Sequence, residues 1–169
     1  MNFHWGLIIW GQFGAALDLL DDVVRACPDE RWQDVIWDDP DGQAYGEFWF
    51  IVYHTLAWTD RYVSGIGKGF VPPAPFIAGA LPDEPYTKDD LRAYLQQCRW
   101  KCRATLEALD DEKAAQPYVF PWGGEMPFAE LMLYTMRHVQ EHAAQLSLHL
   151  GQKTGTAPDW VSSARSDGA

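Results

Sequence analysis

Near the C-terminal end of the chain, residues 131–146 read LMLYTMRHVQEHAAQL, with the apolar spacing of a single helix. His138 and His142 lie four positions apart in this segment. At about 100° per residue, these positions differ by only ~40° around the helix axis. The two imidazoles therefore point in the same direction, one turn apart, and can share a cation.

Other polar side chains continue this face of the helix, because Gln145 and His149 each lie ~20° from His138 around the axis. Two interpretations are open. A buried polar face needs partners, and a metal would satisfy two imidazoles at once. Alternatively, the face is exposed to solvent. The core side would then be the opposite one, which holds Met132, Met136, Val139, Ala143 and Leu146.

A third histidine, His54, lies in the middle of another predicted helix, which runs from about residue 43 or 45 to residue 64. This helix is apolar almost all round, which is typical of a helix buried on more than one side. His54 is therefore either a hydrogen-bonded core residue or a third ligand. Three histidines on two helices would make a metal site with open positions for water or substrate.

The whole chain has the pattern of an all-α four-helix bundle. The first predicted helix spans residues 5–26, the third follows the N-cap Thr87 to about residue 109, and the fourth spans about 127–150 before Gly151. The segment 65–85 contains four glycines and five prolines. We expect it to cross back along the bundle, so that helices two and three run parallel. Residues 1–151 are predicted to form one domain, followed by a partly disordered tail, 152–169, whose last nine residues are loose.

Composition narrows the class of protein. The 169 residues are 47% hydrophobic and carry a formal charge of −11, which argues against binding to nucleic acids or anionic membranes. No apolar run is long enough to span a membrane, and the N-terminus lacks the basic region of a signal peptide. Three cysteines without a close Cys-x-x-Cys pair predict a cytoplasmic protein without disulfides. Cys98 and Cys102 are interpreted as buried helical thiols rather than metal ligands.

The arrangement of His54 and the motif His138-x-x-x-His142-x-x-Gln145 resembles the DinB/YfiT-like superfamily of small bacterial metal-binding four-helix bundles. The resemblance covers nearly the whole chain. It implies a divalent metal, nickel or zinc, held by His54, His138 and His142, with water completing the shell. It also implies a homodimer and a small-molecule substrate. Relatives of this kind include transferases and isomerases that use low-molecular-weight thiols, and metal-dependent hydrolases.

Three functions follow as hypotheses. The favoured one is a metal-dependent enzyme, either a thiol transferase or isomerase or a hydrolase. The second is a non-catalytic, stress-linked protein that binds a metal or a small molecule, and the third is a bundle with hydrogen-bonded, metal-free histidines. No general base is evident, because Asp60 and Glu141 lie off the faces of the histidines. Arg61 shares the face of His54 and is expected either to bind a carboxylate of a thiol cofactor or to form a surface ion pair.

Overall fold

The computed structural model describes residues 4–78 and 80–166. Within these ranges the α-helices are α1 (Trp5–Ala26), α2 (Phe48–Val63), α3 (Lys88–Glu107), α4 (Asp111–Ala115) and α5 (Phe128–Thr154). The antiparallel hairpin between α4 and α5 consists of β1 (Pro117–Val119) and β2 (Glu125–Pro127). Short 3-10 turns at Asp29–Arg31 and Gln43–Gly46 lie in the connection between α1 and α2. The fold class is therefore all-α, as predicted.

The four long helices enclose one apolar core. Both α3 and α5 pack against α1 and against α2. Tyr53, in the first half of α2, contacts Tyr86 just before α3, whereas Ser64 at the other end of α2 bonds to Lys101 late in α3. The two helices therefore run parallel, which confirms the crossover predicted for the segment 65–85. None of the described helices is long and apolar enough to cross a membrane.

The N-terminal ends of α2 and α3 differ in how well the sequence predicts them. Thr87 caps α3 as expected, in a reciprocal capping box with Asp90. By contrast, α2 begins at Phe48, later than predicted. The preceding 3-10 turn holds Gly46 so close to the connector that a Cβ there would lie 2.0 Å from the carbonyl oxygen of Trp37. Glu47 itself is extended and pairs with Val35 in an isolated β-bridge, so the helix begins only after it.

The predicted end of the last helix at Gly151 is wrong. Helix α5 continues to Thr154 and ends at Gly155, whose φ of 78° gives the left-handed C-cap. Gly151 remains helical, and a Cβ added there would meet only Ala157, at an ordinary 3.6 Å. The preference for glycine at the end of a helix therefore holds, but the glycine that ends α5 is Gly155 and not Gly151. The predicted domain boundary at residue 151 therefore falls inside a helix.

Part of the tail that was expected to be loose packs against the bundle. The amide of Ala164 donates to the carbonyl of Gly11 at 2.7 Å, and the amide of Arg165 donates to Asp18 at 2.7 Å. The guanidinium of Arg99 in turn donates to the carbonyl of Arg165 at 2.6 Å. These bonds hold residues near 164 and 165 on α1 and α3, so the prediction of a loose segment is wrong there. Residues 167–169 lie outside the described part.

Two elements near the start of α5 were not predicted in full. Helix α4 begins at the N-cap Asp110, which accepts a hydrogen bond from the amide of Lys113 at 2.8 Å. Tyr118 lies in β1 and pairs with Met126 of β2. Beyond the strands, Trp122 packs edge-on against Trp58 of α2, with ring centroids 5.7 Å apart. The hairpin therefore lies beside the C-terminal half of α2, where Tyr118 also contacts Tyr62.

Candidate metal centre

Helices α2 and α5 bring the three predicted histidines to one point. Nε2 of His54 lies 3.2 Å from Nε2 of His138. The ring of His54 lies 5.2 Å from the rings of His138 and His142, and those two rings are 4.6 Å apart. Each histidine offers one ring nitrogen, and these nitrogens all lie within 4.8 Å of one another. The structure thus assembles the cluster that the sequence predicted.

A neighbouring amide orients one of the three rings. Nδ1 of His142 lies 2.8 Å from Oε1 of Gln145, one turn further along α5. Because the amide oxygen can only accept, Nδ1 carries the proton and Nε2 of His142 keeps its lone pair. On His138 the other nitrogen, Nδ1, is buried and has no hydrogen-bond partner within the described residues. Among the described residues, the polar contact of that ring is therefore made by Nε2, which faces His54.

The surroundings keep these histidines uncharged. Burial, reinforced by the neighbouring imidazole of His142, lowers the pKa of His54 to about 4 and that of His138 to about 3. Burial also lowers the pKa of His142, although Gln145 and Glu141 oppose the change. At neutral pH all three rings are therefore in the neutral form, which is the form that coordinates metal ions.

This donor set fits a divalent cation. Two nitrogens bound ~2.1 Å from one cation in adjacent positions are separated by ~3.0–3.4 Å, and the 3.2 Å between His54 and His138 falls in that range. The polar face of α5 is half-buried at His138 and His142, so it is not exposed to solvent. The opposite side does lie in the core, as the alternative interpretation expected, at Met132, Val139, Ala143 and Leu146. A single hydrogen bond between the two Nε2 atoms would be the metal-free alternative.

Aromatic side chains surround the histidines. Phe50 and Trp58 lie on either side of His54 along α2. The centroid of each ring is 6.3 Å from the centroid of the imidazole. Trp37, from the connection before α2, stacks on His142 at 6.5 Å. Apolar walls of this kind limit access of water and strengthen electrostatic interactions inside the site. Trp37 was missed by the sequence analysis, because it lies in an irregular segment without periodicity.

Other polar residues considered from the sequence lie away from the cluster. Asp60 faces α3, where it accepts from the hydroxyl of Tyr94 at 2.9 Å and pairs with Lys101. His149 is buried and bonds to Asp34 at 3.0 Å, so it completes a core pair rather than the cluster. Cys98 and Cys102 are buried on α3, as expected.

A cavity of about 210 Å³ opens next to His54. The face of α2 that carries His54 forms one wall, and the crossover segment forms another. The cavity is lined by Tyr45, Phe50, Tyr53, His54, Ala57, Trp58, Arg61, Phe70, Pro72, Ala78 and Ala80. The α2 part of this wall was readable from the sequence, because Phe50, His54, Ala57 and Arg61 recur at helical spacing. The part from the crossover was not, since that segment has no regular pattern.

Comparisons with known proteins agree with this architecture. The chain is 30% identical over 145 residues to a protein of Verminephrobacter eiseniae named "Putative glutamate--cysteine ligase 2". That match covers 81% of this chain and 33% of the other protein, so the chain spans about a third of the length of this curated relative. The family model of the DinB superfamily matches residues 12–146, a range that contains all three clustered histidines. The chain therefore belongs to the DinB superfamily, as the sequence motif predicted.

Proposed function

We propose that this protein is a divalent-metal-dependent enzyme that activates a low-molecular-weight thiol for transfer or isomerisation. The observation that carries the proposal is the convergence of His54 and His138, whose Nε2 atoms lie 3.2 Å apart with His142 beside them. His54, His138 and His142 would hold the metal. Imidazole donors suit nickel or zinc, the two metals expected from the resemblance.

A divalent cation held by three neutral imidazoles keeps its full charge and so lowers the pKa of a thiol or a water that binds to it. The protein contributes the rest. Gln145 holds the ring of His142 in the tautomer that leaves Nε2 free, at 2.8 Å. Trp37, Phe50 and Trp58 limit the water around the reacting groups.

Two arguments favour a thiol over water as the activated group. A free thiol has a pKa of ~8.5 and a free water one of ~15.7, so a thiol needs a far smaller shift to ionise at neutral pH. This matters because the cluster holds no carboxylate, among the described residues, that could act as a general base. In addition, the relative from Verminephrobacter eiseniae is named for joining glutamate to cysteine, which yields a small thiol that carries carboxylates.

The proposal is tested by measuring thermal unfolding of the metal-free and metal-loaded protein with glutathione, γ-glutamylcysteine and cysteine. The matched control for each thiol is its S-methyl derivative, which cannot ionise at sulfur. We expect at least one thiol to raise the Tm of the metal-loaded protein only, with no such effect from its S-methyl derivative.

Equal stabilisation by a thiol and its S-methyl form would contradict activation at sulfur. If no thiol raised the Tm of the metal-loaded protein, the thiol proposal would fall, and hydrolysis or non-catalytic metal binding would take its place.

A further inference from the structure

The cavity beside His54 combines an apolar lining with a single charged side chain among the described residues that line it. Most of its lining is apolar or aromatic, including Phe50, Ala57, Trp58, Phe70 and Pro72. Among the described residues that line it, Arg61 alone carries a permanent charge. At about 210 Å³ the cavity is smaller than the ~300–1,000 Å³ typical of pockets for drug-sized ligands. It therefore suits a small ligand with an apolar body and one polar end.

Arg61 is held in place without a neutralising partner. Its Nη2 donates to the carbonyl of Gly67, and its Cζ lies 5.2 Å from the ring centre of Trp58. Its Nε is buried without a hydrogen-bond partner among the described residues. No carboxylate of the described chain pairs with it, so the surface ion pair considered from the sequence is not formed. This is notable in a chain with a net charge of −11.

We propose that Arg61 binds the carboxylate of a small organic acid whose apolar body fills this cavity. Because Nε is buried, the N–H groups of Nη1 and Nη2 that do not bond to Gly67 would donate to the carboxylate. His54 and Arg61 are seven positions apart on α2, which places them ~20° apart around the axis and ~10 Å apart along it. The acid would thus lie along α2, with its other end toward His54. That orientation rests on the proposed function, whereas the carboxylate subsite does not require the metal.

The subsite is tested with 3-phenylpropanoate and its neutral amide, 3-phenylpropanamide, by calorimetric titration of the metal-free and metal-loaded protein. The two probes share one apolar body and differ in charge. We expect the acid to bind about tenfold more tightly than the amide, because a guanidinium forms stronger hydrogen bonds to a charged carboxylate than to a neutral amide.

Arg61→Gln should remove this preference and leave the amide's affinity nearly unchanged. Arg103→Gln, which removes the same charge from an arginine paired with Glu107 on α3, should preserve it. If Arg61→Gln fails to fold, Arg61→Lys takes its place. Lysine keeps the charge and loses the paired donors, so the preference should fall and not vanish.

A purely structural role for Arg61 predicts that Arg61→Gln weakens acid and amide alike. That result would overturn the inference, as would equal binding of acid and amide, or no binding of either, by the wild-type protein. A preference for the acid in a protein that binds no metal would support the subsite while the proposed function failed.

The orientation is tested with 6-sulfanylhexanoate, which should gain affinity on metal loading where hexanoate does not.

Discussion

At the scale of single residues, Gln145 connects the motif in the sequence to the chemistry of the site. Its Oε1 accepts a hydrogen bond from Nδ1 of His142, with 2.8 Å between the two atoms, and so fixes which nitrogen faces the cluster. Partners of this kind typically contribute 10–100-fold to metal affinity. The spacing in the sequence placed Gln145 on the histidine face, but only the structure shows that it bonds to His142.

We predict that Gln145→Leu weakens zinc or nickel binding by about 10–100-fold while the protein stays folded, because His142 loses its orienting acceptor. Competition titration against a chelator of known affinity measures the effect. The matched control is Gln152→Leu, at an exposed position near the end of α5, which should leave the affinity unchanged. An unchanged affinity in Gln145→Leu would show that the bond does not orient a ligand.

The lowered pKa values of the histidines also predict how stability depends on pH in the metal-free protein. The unfolded chain binds protons on His54 and His138 below about pH 6.5, whereas the folded protein resists protonation down to about 4 for His54 and about 3 for His138. The free energy of unfolding should therefore be highest above pH 6.5 and fall as the pH is lowered toward 4. Each histidine contributes a slope of up to ~1.4 kcal/mol per pH unit.

Urea unfolding of chelator-treated protein at several values between pH 7 and about 5 measures this slope while most carboxylates stay ionised. His54→Gln should flatten the slope, and His4→Gln, at an exposed position, should not. A flat stability profile for the wild-type protein across this interval would contradict the account of neutral, buried rings.

At the scale of elements, the glycines of α1 show where a helix has to approach its neighbour closely. A Cβ on Gly6 would lie 1.8 Å from the carbonyl oxygen of Leu106 in α3. A Cβ on Gly11 would meet nothing nearer than the Ser163 hydroxyl oxygen at 3.7 Å. The sequence left open whether these glycines allow close packing against a neighbouring helix or only weaken the start of α1. The structure shows that close packing of α1 on α3 requires a glycine at position 6. At position 11 there is room for a methyl group, which would favour the helix.

We predict opposite effects of the same substitution at these two positions. Gly6→Ala should lower the free energy of unfolding by about 1–3 kcal/mol, because the backbone of α3 must shift to admit the methyl group. Gly11→Ala should raise it by about 0.5–1 kcal/mol through the better helical propensity of alanine. Urea unfolding of both variants beside the wild type measures the difference. A stabilising Gly6→Ala would show that α1 and α3 are not in this close contact.

The elements also show which predictions the sequence supports. The apolar periodicity predicted the four long helices, and the proline- and glycine-rich segment predicted the crossover that makes α2 and α3 parallel. Irregular segments carry no such period, so the contributions of Trp37 and Phe70 to the site could not be foreseen. The docked tail escaped prediction for the same reason. Its contact depends on the backbone amides of Ala164 and Arg165 and on the ion pair of Arg165 with Asp22, none of which leaves an apolar period in the sequence.

At the scale of the whole molecule, topology explains why residues 84 positions apart can meet. The crossover makes α2 parallel to α3, and α5 runs antiparallel to α2. His54 in the middle of α2 therefore lies opposite the middle of α5, where His138 and His142 are found. The two antiparallel helices fix the spacing of the imidazoles, and burial among aromatic side chains keeps them neutral. The account depends on this cluster binding a divalent cation.

The metal content of the purified protein, measured by mass spectrometry after loading with zinc or nickel and extensive dialysis, tests that claim most directly. We predict about one metal ion per chain in the wild type and its loss in the double variant His54→Ala, His138→Ala, with His4→Ala as the control that retains the metal. A folded wild-type protein that keeps no metal, or a double variant that keeps as much as the wild type, would contradict the account.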